Sequence, residues 1–372
     1  MNILQLISSE GYYGTENMLL QLSGSLRELS CNITAGVFEN LHRPNLEVAE
    51  QIRRQGIPVE VIRCRGRLDW DPVRRIRACI EARRIDVVHT HGYKANFYAY
   101  AAIRPLGLPL VATCHNWPGK TIPLLLYYWL DHIILKRFDR VAVVSNDVAQ
   151  SLRRAGIAPE KISLIENGID VSTFKGCEAL CEQISKPPLT MRIAVVGRLA
   201  PEKGIQFFLR AAREVLLTHP DTEFLLVGDG PQRAELESLA RRLQIEKQVI
   251  FTGARSDMPR VYASMDVFVL PSLNEGMPLA LLEAMAAGKA VVATRVGAIP
   301  NLITSEHTGL MIEPRDVPAL RDSILRLMRD PELRRRLGRT AQNTVKERYS
   351  AEAMASSYYR MYRELVDNRA AA

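Results

Sequence analysis

Residues Pro271–Thr294 read PSLNEGMPLALLEAMAAGKAVVAT, and their pattern decides the fold. Just before them, Val267–Leu270 is a four-residue apolar run after Asp266, the length of a buried parallel strand. Pro271 to Gly276 is loop chemistry, and Pro278 suits the first turn of a helix, where its missing N–H costs nothing. Leu279–Ala287 is Leu, Ala and Met throughout except for Glu283. Gly288 stands where a left-handed residue would close that helix, and Ala290–Ala293 opens the next strand. The stretch predicts a strand, a tight loop, a short helix and a parallel strand.

Glu283 is the residue that asks for an explanation. A helix apolar on every face is buried on every face, so this carboxylate faces the interior or a pocket. A buried carboxylate needs partners. Glu275 precedes it by eight residues, at the mouth of the helix. The helix N-terminus between the two offers N–H groups and a positive dipole end, a seat for phosphate. Carboxylates suit sugar hydroxyls, which they hold as acceptors. The alternative is a core glutamate satisfied by backbone or by an arginine.

Working outward, the same alternation of strand and helix fills the chain. Asn2–Ile7, Asn32–Phe38, Val59–Ile62, Asp86–His89, Leu110–Cys114, Val141–Val144 and Ser163–Ile165 read as one series of strands. Ile193–Val196, Phe224–Val227, Val249–Phe251, Val267–Leu270, Val291–Ala293 and Leu310–Ile312 form a second. Regular β/α alternation predicts parallel sheets wrapped by helices, and two series predict two α/β, Rossmann-like, doubly wound domains. The polar segment Lys175–Thr190 reads as the linker, which puts the domains at 1–185 and 186–349.

Composition excludes several classes. At 372 residues, 47% hydrophobic and 24% charged, the chain is an ordinary globular protein. MNILQLI lacks the basic start and cleavage site of a signal peptide. The six cysteines have no metal or redox spacing, so a reduced, cytoplasmic protein is expected. The net charge of +8 concentrates in ten arginines between Arg53 and Arg84, with no nucleic-acid module beside them.

Ligands of open α/β sheets bind outside the carboxyl ends of the strands, so the strand-end loops carry the chemistry. Gly197-Arg198-Leu199-Ala200-Pro201-Glu202-Lys203-Gly204 sets two cations beside a glycine turn at a helix start, which suits a diphosphate. Gly11-Tyr12-Tyr13-Gly14-Thr15-Glu16 is glycine-bearing but is not a dinucleotide fingerprint. His89-Thr90-His91-Gly92 and Cys114-His115-Asn116 close two strands without completing a metal set. Three segments are decoys. Pro118-Gly119-Lys120-Thr121 lacks the leading glycine of a phosphate loop. Asp69-Trp70-Asp71 mimics a metal-binding Asp-x-Asp, but Asp71 before Pro72 reads as a helix N-cap. Asn167-Gly168-Ile169-Asp170 reads as a structural turn.

Glu-Gly-Met-Pro-Leu-Ala-Leu-Leu-Glu, Glu275 to Glu283, resembles the E-x7-E signature of the retaining family 4 glycosyltransferases, enzymes of the GT-B fold. The other loops resemble family segments in the right order along nearly the whole chain: the glycine loop, H-T-H-G, C-H-N, N-G-I-D, G-R-L-x-x-x-K-G and G-D-G-P. Met277-Pro278 replaces the commoner Phe-Gly, and Tyr13 replaces a glycine in the first loop. The resemblance implies two domains facing across a cleft, with a last helix around 350–372 returning to the first.

It also implies roles. Glu283 holds the nucleotide ribose, and Glu275 contacts the donor sugar. Arg198 and Lys203 neutralise the leaving diphosphate, and Gly276, Met277, Pro278 and Leu279 line the donor site. Gly14 lets backbone N–H groups approach the donor phosphate, His115 sits near the transferred sugar, and His91 lies on the acceptor side. The implied reaction moves a sugar from a UDP- or GDP-sugar to a glycan or lipid-linked acceptor in bacterial surface polysaccharide or glycolipid assembly. No metal or other cofactor is expected, because the two cations and helix N-termini supply the charge. The rival readings are a sugar-nucleotide epimerase, a phosphorylase, or a non-catalytic sugar-nucleotide binder. Ile122–Phe138, apolar and ending in Lys136 and Arg137, is too short to span a bilayer. It suits either a core helix or peripheral contact with anionic lipid on the inner face of the plasma membrane.

Overall fold

The computed structural model describes residues 1–8, 14–40, 46–65, 69–115, 122–174 and 190–370, without the side chains of 122–128. The linker segment 175–189, the loop residues Gly11 to Tyr13 and the decoy Pro118 to Thr121 lie outside the described residues.

The chain forms two compact units, Met1–Gly168 with Ala351–Ala372, and Ile169–Ser350. The first holds a seven-stranded sheet: β1 (Asn2–Ser8), β2 (Asn32–Asn40), β3 (Val59–Cys64), β4 (Val87–His91), β5 (Leu110–Cys114), β6 (Arg140–Val143) and β7 (Ile162–Leu164). The second holds six strands: β8 (Arg192–Val196), β9 (Glu223–Val227), β10 (Val249–Gly253), β11 (Val267–Leu270), β12 (Ala290–Thr294) and β13 (Leu310–Ile312). Every strand pair is parallel. The expected doubly wound α/β architecture is present twice.

The strand orders are β3-β2-β1-β4-β5-β6-β7 and β10-β9-β8-β11-β12-β13. Each order reverses once, between β1 and β4 and between β8 and β11. At such a reversal the crossover helices leave to opposite faces, and the loops after the two strands part to leave a crevice. The core follows from period-two burial on both faces. Leu4, Leu6, Val88, Ala112, Val141 and Val143 share one cluster on the first sheet, and Ile193, Val195, Phe224, Leu226, Val267 and Val269 share another on the second. The last helix, Ala351–Ala370, belongs to the first unit, where it packs on helix Gly14–Glu28.

Two local expectations need correcting. Pro278 precedes the first turn of helix Leu279–Ala286, at its N-cap position. Asp71 does not cap the helix Asp71–Arg83 but begins it, and the Asp69 carboxylate accepts from Asp71 N (3.0 Å) and Arg65 N (2.8 Å). Asp71 instead pairs with Arg75 (2.8 Å) and Arg74 (3.3 Å), as first-turn acids do. The other end of helix Leu279–Ala286 is as expected. Gly288 N donates to Met285 O (2.9 Å) and Lys289 N to Ala284 O (3.0 Å), the paired bonds of a Schellman close.

Candidate active site

In the second unit, the loops after β8 and β11 are built against each other. Leu199 N donates to Asp229 O (2.9 Å), and Pro201–Lys203 forms one 3-10 turn before helix Ile205–Leu216. Gly204 has φ +61°, and a Cβ there would overlap the Pro271 carbonyl. Only glycine allows that approach. Leu273 N then donates to Glu202 O at 2.7 Å, stitching the loops together.

This stitching carries Lys203 to Glu275. Lys203 Nζ lies 2.7 Å from Glu275 Oε1, and Ser272 Oγ donates to the same oxygen at 2.6 Å. The glutamate side chain is 7% exposed and the lysine 23%. Thr294 Oγ1 donates to Ser272 O (2.6 Å), so the end of β12 holds the serine in place. From beyond β12, Ala298 N donates to Gly276 O (3.1 Å). Gly297, φ +54°, lies where a Cβ would overlap the Glu275 carbonyl. Glu275 and Gly276 are therefore held by Lys203, by Ser272 and by the segment Gly297–Ala298. Arg198 is exposed at the neighbouring turn.

Met277 and Leu279 are buried at the start of helix Leu279–Ala286. The helix's first hydrogen bonds run from Leu281 N and Leu282 N to Pro278 O, so the earlier N–H groups face outward along the axis. One turn in, Glu283 is 8% exposed and accepts from the Tyr262 hydroxyl at 2.8 Å. Tyr262 is fully buried, with Phe174 edge-on at 5.7 Å. Burial, and after it the Glu283 carboxylate, push the phenol well above its ordinary pKa, so it stays a donor. One partner of Glu283 is thus a tyrosine from Met258–Ser264, a helix whose sequence gave no sign of it.

In the first unit, the structure brings the two candidate histidines together. His91 Nδ1 lies 3.2 Å from His115 Nε2, with rings stacked at 5.5 Å. His91 is the last residue of β4 and is 1% exposed, behind the half-buried His115. Burial lowers the pKa of His115 to about 4 and that of His91 well below the ordinary value, with the neighbouring histidines adding to the shift at His91. Both are neutral imidazoles at neutral pH. Gly14 begins helix Gly14–Glu28, and a Cβ there would meet nothing within 4 Å. On the other face of β4, Thr90 Oγ1 donates to Asn96 Oδ1 (2.5 Å) and Asn96 Nδ2 to Asp131 Oδ1 (2.8 Å). Burial raises the Asp131 carboxyl to about 6. Sequence reasoning missed Tyr262, Gln5 and Asp131, whose partners Glu283, His91 and Asn96 lie far along the chain, and Ser272, which reaches Glu275 within its own loop. Among the described residues, no group of three or more His, Cys, Asp or Glu side chains is arranged to hold a metal.

Two doubly wound units, one with cations, clamped carboxylates and a helix N-terminus gathered at its strand reversal, define a nucleotide-dependent group-transfer enzyme of the GT-B architecture. Comparison with known proteins says which. The family model described as Glycosyltransferase Family 4 matches residues 12–173, and that described as Glycosyl transferases group 1 matches residues 190–330. The chain belongs to the retaining family 4 glycosyltransferases. It is 28% identical over 309 residues to the UDP-Gal:alpha-D-GlcNAc-diphosphoundecaprenol alpha-1,3-galactosyltransferase of Escherichia coli, covering 78% of each chain. It is 28% identical over 295 residues to the N-acetyl-alpha-D-glucosaminyl L-malate synthase of Bacillus anthracis, covering 77% of this chain and 76% of the relative. The crystal structure of Anabaena HepE in complex with UDP-glucose shares the fold, with a TM-score of 0.83 and 22% identity over all of both chains.

Proposed function

We propose that this glycosyltransferase takes a UDP-sugar, or a GDP-sugar, as donor and passes the sugar to a glycan or lipid-linked acceptor in bacterial surface polysaccharide or glycolipid assembly. The observation that carries the reading is the Lys203–Glu275–Ser272 cluster beside Arg198 at the β8/β11 reversal. It offers cations for a diphosphate and a fixed carboxylate for sugar hydroxyls within one set of loops. A UDP donor is favoured by the donor named for the Escherichia coli relative and by the ligand of the Anabaena structure.

In this reading Arg198, Lys203 and the N–H groups around Gly276, Met277, Pro278 and Leu279 receive the diphosphate. Glu275 orients the sugar, and Glu283, steadied by Tyr262, takes the ribose. Gly14 lies on the donor-phosphate side of the first unit, His115 near the transferred sugar and His91 behind it. Protein charge stabilises the departing phosphate without a metal. The enzyme acts in the cytoplasm, against the inner face of the plasma membrane. No described helix is long and apolar enough to cross a bilayer. Helix Ile122–Leu135 nonetheless exposes Trp129 (62%), Leu130 (37%) and Ile133 (41%), with exposed Lys136 and Arg137 beyond its end. An apolar face edged by cations suits an anionic lipid surface.

The test is incubation with a panel of UDP- and GDP-sugars, following free nucleotide with and without an oligosaccharide or polyprenyl-diphosphate-sugar acceptor. Acceptor-dependent release of one nucleotide is the expected result. Isomerised donor without release marks an epimerase, and binding without turnover marks a non-catalytic protein.

A further inference from the structure

Four polar side chains occupy the face of the first sheet that lies under the C-terminal helix: Gln5 of β1, His89 and His91 of β4, and Thr113 of β5. The register sets Gln5 beside His89 and His91 beside Thr113, and strand alternation turns all four to one side. Their hydrogen bonds form two chains, joined where Gln5 also bonds the Tyr362 hydroxyl. In one, Tyr362 OH meets His89 Nδ1 (2.6 Å), His89 Nε2 meets Thr113 Oγ1 (2.7 Å), and Thr113 Oγ1 meets Tyr358 OH (2.8 Å). That chain fastens the helix to the sheet. The other runs from Gln5 Oε1 to His91 Nε2 (2.9 Å) and from His91 Nδ1 to His115 Nε2, and it leads out to the strand end.

The second chain has a direction. A neutral imidazole has one N–H and one lone pair. Gln5 Oε1 can only accept, so the His91 proton is on Nε2. His91 Nδ1 is then a lone pair, and the proton in its bond to His115 comes from His115 Nε2. His115 Nδ1 is left as a lone pair. Gln5 also bonds the Tyr362 hydroxyl in the sense that lowers the phenol's pKa, which turns the amide N–H to Tyr362 and leaves the oxygen for His91. Gln5 and His91 are 0% and 1% exposed, and water does not compete for these bonds.

We propose that Gln5 is a positioning residue for sugar transfer: through His91 it holds His115 in the tautomer whose Nδ1 accepts a hydrogen bond from a sugar hydroxyl. The proposal rests on the reading that puts His115 near the transferred sugar, and it specifies which kind of sugar group His115 recognises. Without the Gln5 oxygen, His91 has no preference between its tautomers. His115 would then present an N–H to the sugar for part of the time.

Long-range 1H–15N spectra of protein labelled at histidine nitrogen, assigned with single histidine variants, read the tautomers directly. The expected result is protonated Nε2 and unprotonated Nδ1 at both His91 and His115. In Gln5→Met the His115 nitrogens should move toward averaged positions, and kcat should fall about tenfold. KM for the donor should stay within about twofold, since the diphosphate and nucleoside contacts are untouched. A wild-type His115 protonated on Nδ1 overturns the proposal, and this measurement does not require the variant to fold. Loss of turnover in His115→Ala with full turnover in Gln5→Met overturns the relay alone. Full turnover in His115→Ala overturns the sugar-side reading on which the proposal rests.

Discussion

Lys203 Nζ lies 2.7 Å from Glu275 Oε1, and this pair sets the charge of the proposed donor site. The lysine is already neutralised by a carboxylate that is itself held by Ser272. On the proposed function, a diphosphate arriving there would share the cation with Glu275, which Ser272 holds.

The pair can be separated by mutation. Lys203→Met leaves a buried carboxylate without its cation and should destabilise the protein by about 2 kcal/mol, less than a fully buried pair because the lysine is partly exposed. Lys203→Met with Glu275→Gln should recover most of that stability while activity stays low. Urea denaturation and initial rates on the same preparations read both quantities.

Arg198→Ala should lower kcat by about 10²-fold or more, equivalent to about 3 kcal/mol in the barrier, if it stabilises the departing diphosphate. Turnover in EDTA should equal turnover in magnesium. A strict magnesium requirement would remove the protein cations from that role.

Tyr262→Phe should weaken nucleotide-sugar binding about tenfold by removing one donor to Glu283, and Glu283→Gln should weaken it at least as much. Calorimetric titration with the donor measures both. Unchanged affinity in Glu283→Gln would return that residue to a purely structural role.

Acid should destabilise the first unit. The pKa values of His89, His91 and His115 are depressed when folded, with His89 at about 3 and His115 at about 4. Their neutral forms stabilise the fold fully above an unfolded pKa of about 6.5, and that contribution is lost as pH falls toward the folded values. Asp131, raised to about 6, works in the opposite sense, favouring the fold as pH falls through that value. Three groups oppose one, so the denaturation midpoint should fall between pH 6.5 and 4. Asp131→Asn should raise stability at pH 8 and change it little at pH 4.

Flotation with liposomes tests the exposed face of helix Ile122–Leu135. Binding to anionic but not neutral vesicles, lost at high salt and in Trp129→Glu, is the expected pattern.

Some of this protein is set by short-range physics and was legible in its sequence. Apolar runs of four to seven residues alternating with helical periodicity specify parallel α/β units, because both signals act within a few residues. Gly204, Gly288 and the Pro278 turn mark loop and helix ends for the same local reason. The placement of Glu283 one turn inside helix Leu279–Ala286 follows from its position in the sequence. The partners of these residues needed the tertiary structure. Lys203 meets Glu275 across 72 residues of chain, Tyr262 meets Glu283 across 21, and Gln5 meets His91 across 86. Strand order decides those meetings, and the reversals at β1/β4 and β8/β11 leave no local mark in the chain. A buried polar side chain announces that it needs a partner, but only the packed sheet decides which residue supplies it.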